Sequence, residues 1–223
     1  MVEGTWWRED HTRRRLRRLG SVRELGVPGV FIGDQDGQLV LYACPYGAPR
    51  TAEVIHMAAQ VGVGLAVQIG SCGVVGEGVR PGDVIVPTRT LGLDGVTAHY
   101  TGTTPVASSD RWSTLAVAEL EQRAVRVHRG PSVTWPTLFN QPIEHVREWQ
   151  RDGYLGVDME TATTLAVAAH FGVAAISMLV AWDEVLSGDS FLDPLPADEA
   201  EAFTTSEGAI FDVALALAVR IDG

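Results

Sequence analysis

Two almost unbroken apolar runs, GLAVQI at 64–69 and VAAISMLVAW at 173–182, constrain this chain more than any other feature. A strand with one wet face alternates apolar and polar residues, whereas a strand covered on both faces reads as a continuous apolar run. Both runs therefore predict central strands with helices packed on either side. Further strands are expected at 38–44 (QLVLYAC), at 83–87 (DVIVP) after a turn at Pro81 and Gly82, and near 125–128 and 131–135. Helices are expected at 51–60, from Asp110 to Arg123 with Ser109 or Asp110 as cap, at 141–152 and at 197–220. The Ala-rich stretch after Val157 keeps a helical period and stops at Gly172. Strands alternating with helices define the α/β class: one domain over 1–223, with a central mixed, mainly parallel, twisted sheet flanked by helices.

Composition narrows the functions open to such a fold. With 46% hydrophobic residues the chain can bury a core without disulfides or metals, and Cys44 and Cys72 lie too far apart in sequence to form a redox or ligand pair. No run reaches the ~18 apolar residues of a membrane span, and the first 20 residues hold no secretory apolar stretch, so a cytoplasmic protein is expected. A net charge of −11 argues against nucleic acid as a partner. All 17 basic residues are arginine, which excludes a Walker-type phosphate loop and Schiff-base chemistry, since both need a primary amine. Seven of these arginines, Arg8, Arg13, Arg14, Arg15, Arg17, Arg18 and Arg23, crowd the first 24 residues beside four acids. Three readings stand for this segment: a solvated helix face, a phosphate-binding role for one or two arginines, or contacts with a partner subunit.

In a sheet of this kind ligands bind beyond the carboxyl ends of the strands, and the unusual residues gather there. Gly70, Ser71, Cys72 and Gly73 follow the first apolar run and read as a tight turn. Such a turn either satisfies sterics or offers backbone N–H groups and a hydroxyl to an oxyanion. Asp158, Met159 and Glu160 open the Ala-rich helix. Glu160 suits the first turn of a helix, where the dipole favours an acid, and equally suits accepting hydrogen bonds from a vicinal diol. Met159 could lie against a sugar or a base. Asp183 ends the second apolar run, either as a solvent-facing terminator or as a carboxylic acid placed to protonate a leaving group. Trp135, Phe139 and Trp182 are core aromatics or flat walls for a heteroaromatic ring.

Three long segments in order, QIGSCGVVGEGVRPGDVIVP, LDGVTAHY and GVDMETATTLAVAAHFGVAAISMLVAWDE, together with YGAPRTA, resemble the nucleoside phosphorylase and uridine phosphorylase superfamily. The resemblance runs from about Arg23 to the last helix and implies the nucleoside phosphorylase fold. It also implies cleavage of a ribosyl–base bond by phosphorolysis, with inorganic phosphate as co-substrate and no metal or organic cofactor. On this resemblance Glu160 matches the acceptor of the ribose hydroxyls and Met159 the methionine beside the sugar. Tyr46 falls near the ribose, and His99 approaches its 5′ side. Ser71 with Gly70 matches the phosphate turn, and Asp183 the acid at a purine N7. Phe139, then Trp135, match the base-stacking aromatic, with Trp182 and Asp158 also at the base. Homo-oligomers that share site residues across an interface are implied as well, with Ser21–Glu24 resembling the segment that lends a phosphate-binding arginine, here Arg23, to a neighbour.

Departures from the family pattern bear on the phosphate and base sites. Gln68 stands where the family has an arginine, replacing a charged bidentate fork by an amide. The N-terminal strand before the family's G-D-P-x-R is expected to be missing or truncated, and Gly4 to Arg8 keeps only the glycine-to-arginine spacing. Trp182 replaces the serine before the catalytic aspartate, no arginine occurs between 184 and 219, and the uracil-reading Gln and Arg have no clear match. Three functions follow: a phosphorylase using Arg8, Arg23 of a neighbour and Ser71; a nucleosidase with water in place of phosphate and Glu3 the one early candidate base; or a recruited fold whose Trp6, Trp7, Trp135 and Trp182 hold a more apolar ligand.

Overall fold

The computed structural model describes residues 1–187 and 191–221. In chain order its elements are β1 (Val2–Gly4), α1 (Arg8–Leu16), β2 (Gly20–Glu24), β3 (Val30–Gln35), β4 (Gln38–Ala43), α2 (Ala48–Gln60), β5 (Leu65–Val74) and β6 (Val84–Gly92). A 3-10 turn at Thr97–His99 precedes β7 (Val106–Ala107), α3 (Asp110–Gln122), β8 (Val127–Thr134), α4 (Ile143–Arg151), β9 (Gly156–Asp158), α5 (Thr161–His170), β10 (Ala174–Glu184) and α6 (Ala197–Ala218).

The two apolar runs lie side by side as β5 and β10, paired in parallel with Gln68 opposite Ser177. Their residues divide between two cores. Val67, Ile69, Ile176 and Met178 pack with Leu120, Ile210 and Phe211 of α3 and α6. Ala66 and Ala175 pack with Ile55 of α2 and Leu165 and Val167 of α5 on the other face. Helix α5 is buried from Thr161 to Ala168, as a helix with no polar stripe must be.

The mixed sheet has a closed part and an open arm. Strand β5 pairs with β9 and β10, β10 with β6, β6 with β8, and β8 with β9, so five strands form a ring. From β5 an arm continues through β1, β4 and β3 to β2 at the edge.

Several boundaries differ from expectation. The residues read as a turn, Gly70–Gly73, continue β5 as strand. Glycine is required there by close neighbours: a Cβ on Gly70 would lie 2.5 Å from the Gly4 carbonyl, and one on Gly73 2.5 Å from Val185 Cγ2. The strands expected at 125–128 and 131–135 are one strand, β8. The N-terminal strand expected to be missing or truncated is present in short form as β1, three residues parallel to β5 with Val2 opposite Gln68 and Gly4 opposite Gly70.

The N-terminal arginines also divide. Arg13, Arg14, Arg17 and Arg18 are exposed, but Arg15 is buried on the inner face of α1 beside His11. Glu3 accepts hydrogen bonds from Arg15 (2.9 Å to Nη2), from Tyr42 (2.5 Å) and from His11 (2.9 Å), and the other nitrogen of His11 lies 3.0 Å from Glu207 of α6. Burial alone would raise the Glu3 carboxyl, but His11 and Arg15 hold it down at about 2. Burial would lower His11, yet the two carboxylates hold it up at about 9. The solvated-face reading therefore fails at His11 and Arg15.

Candidate functional site

At the carboxyl ends of β1, β5, β9 and β10 a cavity of about 260 Å³ opens. Its floor is Gly4, Ser71, Cys72 and Gly73, and one wall is Asp158, Met159 and Glu160 between β9 and α5. Trp182 and Asp183 face it from the end of β10, where the pairing with β5 shifts register between Ala181 and Glu184. Trp6, Tyr46, Phe139 and Phe191 complete it as aromatic walls.

Glu160 is buried to 4% exposure at the head of α5. Its Oε1 accepts the Gly47 N–H at 2.7 Å. Gly47 adopts φ +81°, a backbone region that favours glycine, and so turns its N–H towards the carboxylate. A Cβ on Gly4 would collide with the same carboxylate. Two glycines thus make the space in which Glu160 lies. Burial, reinforced by the negative charge of Asp158, pushes its carboxyl up to about 8.

Asp158 has a different part. Its Oδ1 accepts from Thr134 Oγ1 (2.6 Å), while Oδ2 accepts from Thr161 Oγ1 (2.6 Å) and the Thr161 N–H (2.8 Å). It fastens β8 to the start of α5 and so fixes the turn that presents Glu160; its oxygens are engaged by protein rather than aimed at a base. Burial raises its carboxyl, and these hydrogen bonds oppose the rise. Asp183 is half-buried over Gly73, whose Cβ position lies 3.7 Å from Asp183 Oδ1.

The sequence brings Ser71, Tyr46, Met159, Glu160, Asp158, Phe139, Trp182 and Asp183 to one cavity, and leaves others outside it. Gln68 is fully buried under the floor, where its Oε1 accepts from the Ser177 hydroxyl and lies 2.9 Å from Thr161 Oγ1. Gly70 packs against Gly4 and is not part of the lining. Trp135 meets His145 edge-on and Trp149 at a tilt, and its indole N–H donates to the Asn140 carbonyl (2.8 Å), so it braces the loop carrying Phe139 instead of walling the cavity. His99 is exposed in its 3-10 turn and away from the lining. Arg23 is exposed on the edge strand β2, three strands beyond β1. Arg8 starts α1 with its guanidinium 5.9 Å from the Tyr46 ring. Among the described residues no cationic side chain lines the cavity. Sequence reasoning missed Leu138, Gln141 and Phe191, which carry no local signal of a site, and noted Gly4 only for its spacing to Arg8.

Nor does Glu3 fit the part of a water-activating base. It lies outside this cavity and is occupied by Arg15, His11 and Tyr42. Among the described residues no cluster of three or more His, Cys, Asp or Glu could hold a metal ion, and no helix is long and apolar enough to cross a membrane.

Fold and site together define an α/β protein whose sheet ends surround a small, carboxylate-bearing, aromatic-walled cavity. The chain belongs to the phosphorylase superfamily, whose family model matches residues 24–217. It is similar to the guanosine phosphorylase of Halorubrum lacusprofundi, 26% identical over 152 residues, covering 68% of this chain and 63% of that protein. It is also similar to the uridine phosphorylase of Escherichia coli, 26% identical over 174 residues, covering 71% of this chain and 68% of that one. A DeoD-type purine nucleoside phosphorylase of Geobacillus is 25% identical over 201 residues, covering 88% and 80% of the two chains. The solved uridine phosphorylase of Vibrio fischeri shares the fold, with a TM-score of 0.83 at 20% identity over 96% of this chain and 88% of that one.

Proposed function

We propose that the protein is a cytoplasmic nucleoside phosphorylase, transferring the pentosyl group of a nucleoside to inorganic phosphate without a metal or organic cofactor. The observation that carries this reading is Glu160, a buried carboxyl held by the Gly47 N–H on the wall of a cavity large enough for a sugar. A vicinal diol supplies two O–H donors, which favour the ionised form of this carboxyl against the burial that holds it up at about 8. Met159 and Tyr46 lie against the sugar, and Phe139 and Trp182 flank the base. As the C1′–N bond breaks, its electron pair passes to the base, which takes a proton from Asp183, while a phosphate oxygen bonds to C1′. The relatives named guanosine, uridine and purine nucleoside phosphorylases support the reaction class and leave the base open.

Phosphate beside Ser71 needs positive charge, and the cavity lining supplies none. Arg8, next to Tyr46, is one source. The other is Arg23 of a second copy in a homo-oligomer, since β2 presents this residue on an exposed edge. A second reading, hydrolysis, is favoured by that same lack of a cation and by the burial of Gln68. A phosphate titration of base release from purine and pyrimidine nucleosides separates them. Saturable phosphate dependence with pentose 1-phosphate as product is expected. A rate indifferent to phosphate, with free pentose formed, would replace phosphorolysis by hydrolysis, and no base release from any nucleoside would remove both.

A further inference from the structure

A groove of about 930 Å³ adjoins the cavity along α1 and α6, with Trp6, Trp182 and Phe191 lining both. The cavity itself, about 260 Å³, falls just below the roughly 300–1,000 Å³ that enclose small ligands. The groove is therefore the larger of two adjoining spaces, and Trp182, which lines both, is the chain neighbour of Asp183, where the proposed reading puts the leaving group.

Its chemistry is aromatic. Trp7 lies 5.2 Å from Trp182 and 5.7 Å from Phe191, centroid to centroid, with the rings tilted by 42° and 30°. Phe203 meets Trp182 edge-on at 4.6 Å. Trp6 and Trp7 remain 47% and 42% exposed, which leaves large ring faces open to water beside a cavity. Charged residues line the groove on its α1 side, where Arg13 is paired with Asp10 at 3.2 Å and Arg14 with Glu207 at 3.4 Å, and Arg17 stands nearby. The aromatic side, next to the cavity, selects for flat apolar area.

We infer that the natural leaving group is larger than an unsubstituted base and carries an uncharged, flat aromatic substituent that lies in the groove against Trp7, Trp182 and Phe191. This rests on the reading of the cavity as a nucleoside site. It makes Trp7 a specificity-determining residue that touches the substituent and leaves the sugar and the reacting bond alone.

Two matched substrate pairs test it: uridine against 5-benzyluridine, and adenosine against N6-benzyladenosine, with wild type, Trp7→Ala and Trp7→Phe. In the pair whose parent is cleaved, the benzylated member should have a kcat/KM about tenfold higher, carried by KM. Trp7→Ala should erase that gain and leave the parent's rate unchanged, and Trp7→Phe should keep most of it. Equal efficiency for parent and benzylated substrate, or equal losses on both in Trp7→Ala, overturns the inference while the proposed reaction stands. Calorimetric binding of the free bases separates the two failures. If no nucleoside is cleaved, tighter binding of 5-benzyluracil or N6-benzyladenine than of its parent, lost in Trp7→Ala, upholds the groove without the reaction. If neither benzylated base binds more tightly than its parent, the groove assignment falls whatever the enzyme cleaves.

Discussion

The first 23 residues, which precede the family match, and the body that follows build opposite sides of one cavity by different means. The body supplies polar groups on buried elements: Ser71 on β5, Glu160 ahead of α5, Asp183 on β10. The N-terminal segment supplies space and surface, with Gly4 clearing room for Glu160 and Trp6 forming a wall. Hydrophobic burial holds the body together. A buried ionic cluster, Glu3 with His11, Arg15 and Glu207, pins the segment to it. Charged residues can therefore anchor a wall of a site as firmly as apolar ones, provided their partners are buried with them.

The largest test of this contrast is Glu3→Ala. Removing one member of a buried ionic group leaves the others uncompensated and should cost about 3–5 kcal/mol, lowering the melting temperature by about 10 °C. A melting curve like the wild type's would show that the segment is held by packing alone. In the body, Glu160→Gln should leave the fold intact and reduce kcat/KM by about 30- to 1,000-fold, as for a charged acceptor lost at the transition state. A soluble variant with wild-type turnover would strike Glu160 from the site. Gly4→Ala probes the seam between the regions. Its Cβ would displace the Glu160 carboxylate, and a misplacement of this kind should reduce turnover by about 100-fold. An unchanged rate would mean that the segment does not shape the sugar site.

The pH dependence of stability sharpens the comparison. Glu3, held down at about 2, contributes stability above its ordinary 4.5 that is lost as pH falls towards 2. His11, held up at about 9, contributes below 6.5 and loses its contribution as pH rises through 9. Glu160, raised to about 8, contributes below 4.5 and loses its contribution as pH rises through 8. The melting temperature should therefore decline as pH rises, and Glu160→Gln should remove the part that runs from about 4.5 to about 8. An identical decline in that variant would assign all of it to the N-terminal cluster. The smallest effect is expected at Phe139→Ala, about 1 kcal/mol seen as a raised KM, because this ring is 64% exposed at the cavity rim. An unchanged KM would take Phe139 off the base-contacting wall.

These regions also differ in how far the sequence disclosed them. The paired central strands, helix α5 and the convergence of Ser71, Glu160 and Asp183 were legible because each element is long enough to show its period. Strands β1 and β9 have three residues each, too few for any pattern, and β9 is what joins β5 to β8. Gly70–Gly73 looked like a turn because glycine signals both a bend and a close approach, and only the neighbouring Gly4 and Val185 decide between them. Arg15 looked solvated because its partners Glu3 and Glu207 lie outside its own helix. Gln68 could be located as a departure from the family pattern, but not its burial beneath the floor against Thr161 and Ser177.

The ring of β5, β9, β8, β6 and β10 has a consequence for how substrates are accommodated. Each strand in it is hydrogen-bonded on both sides, so none can shift without breaking two ladders at once. Ser71 is carried on its β5 ladder, whereas Asp183 stands where the β10–β5 pairing shifts register. The rim is held by fewer ties, and the loop carrying Phe139 is fastened through the Trp135 indole. Amide exchange should be slow around the ring and faster at 136–142, and a bound ligand should slow exchange mainly in that loop.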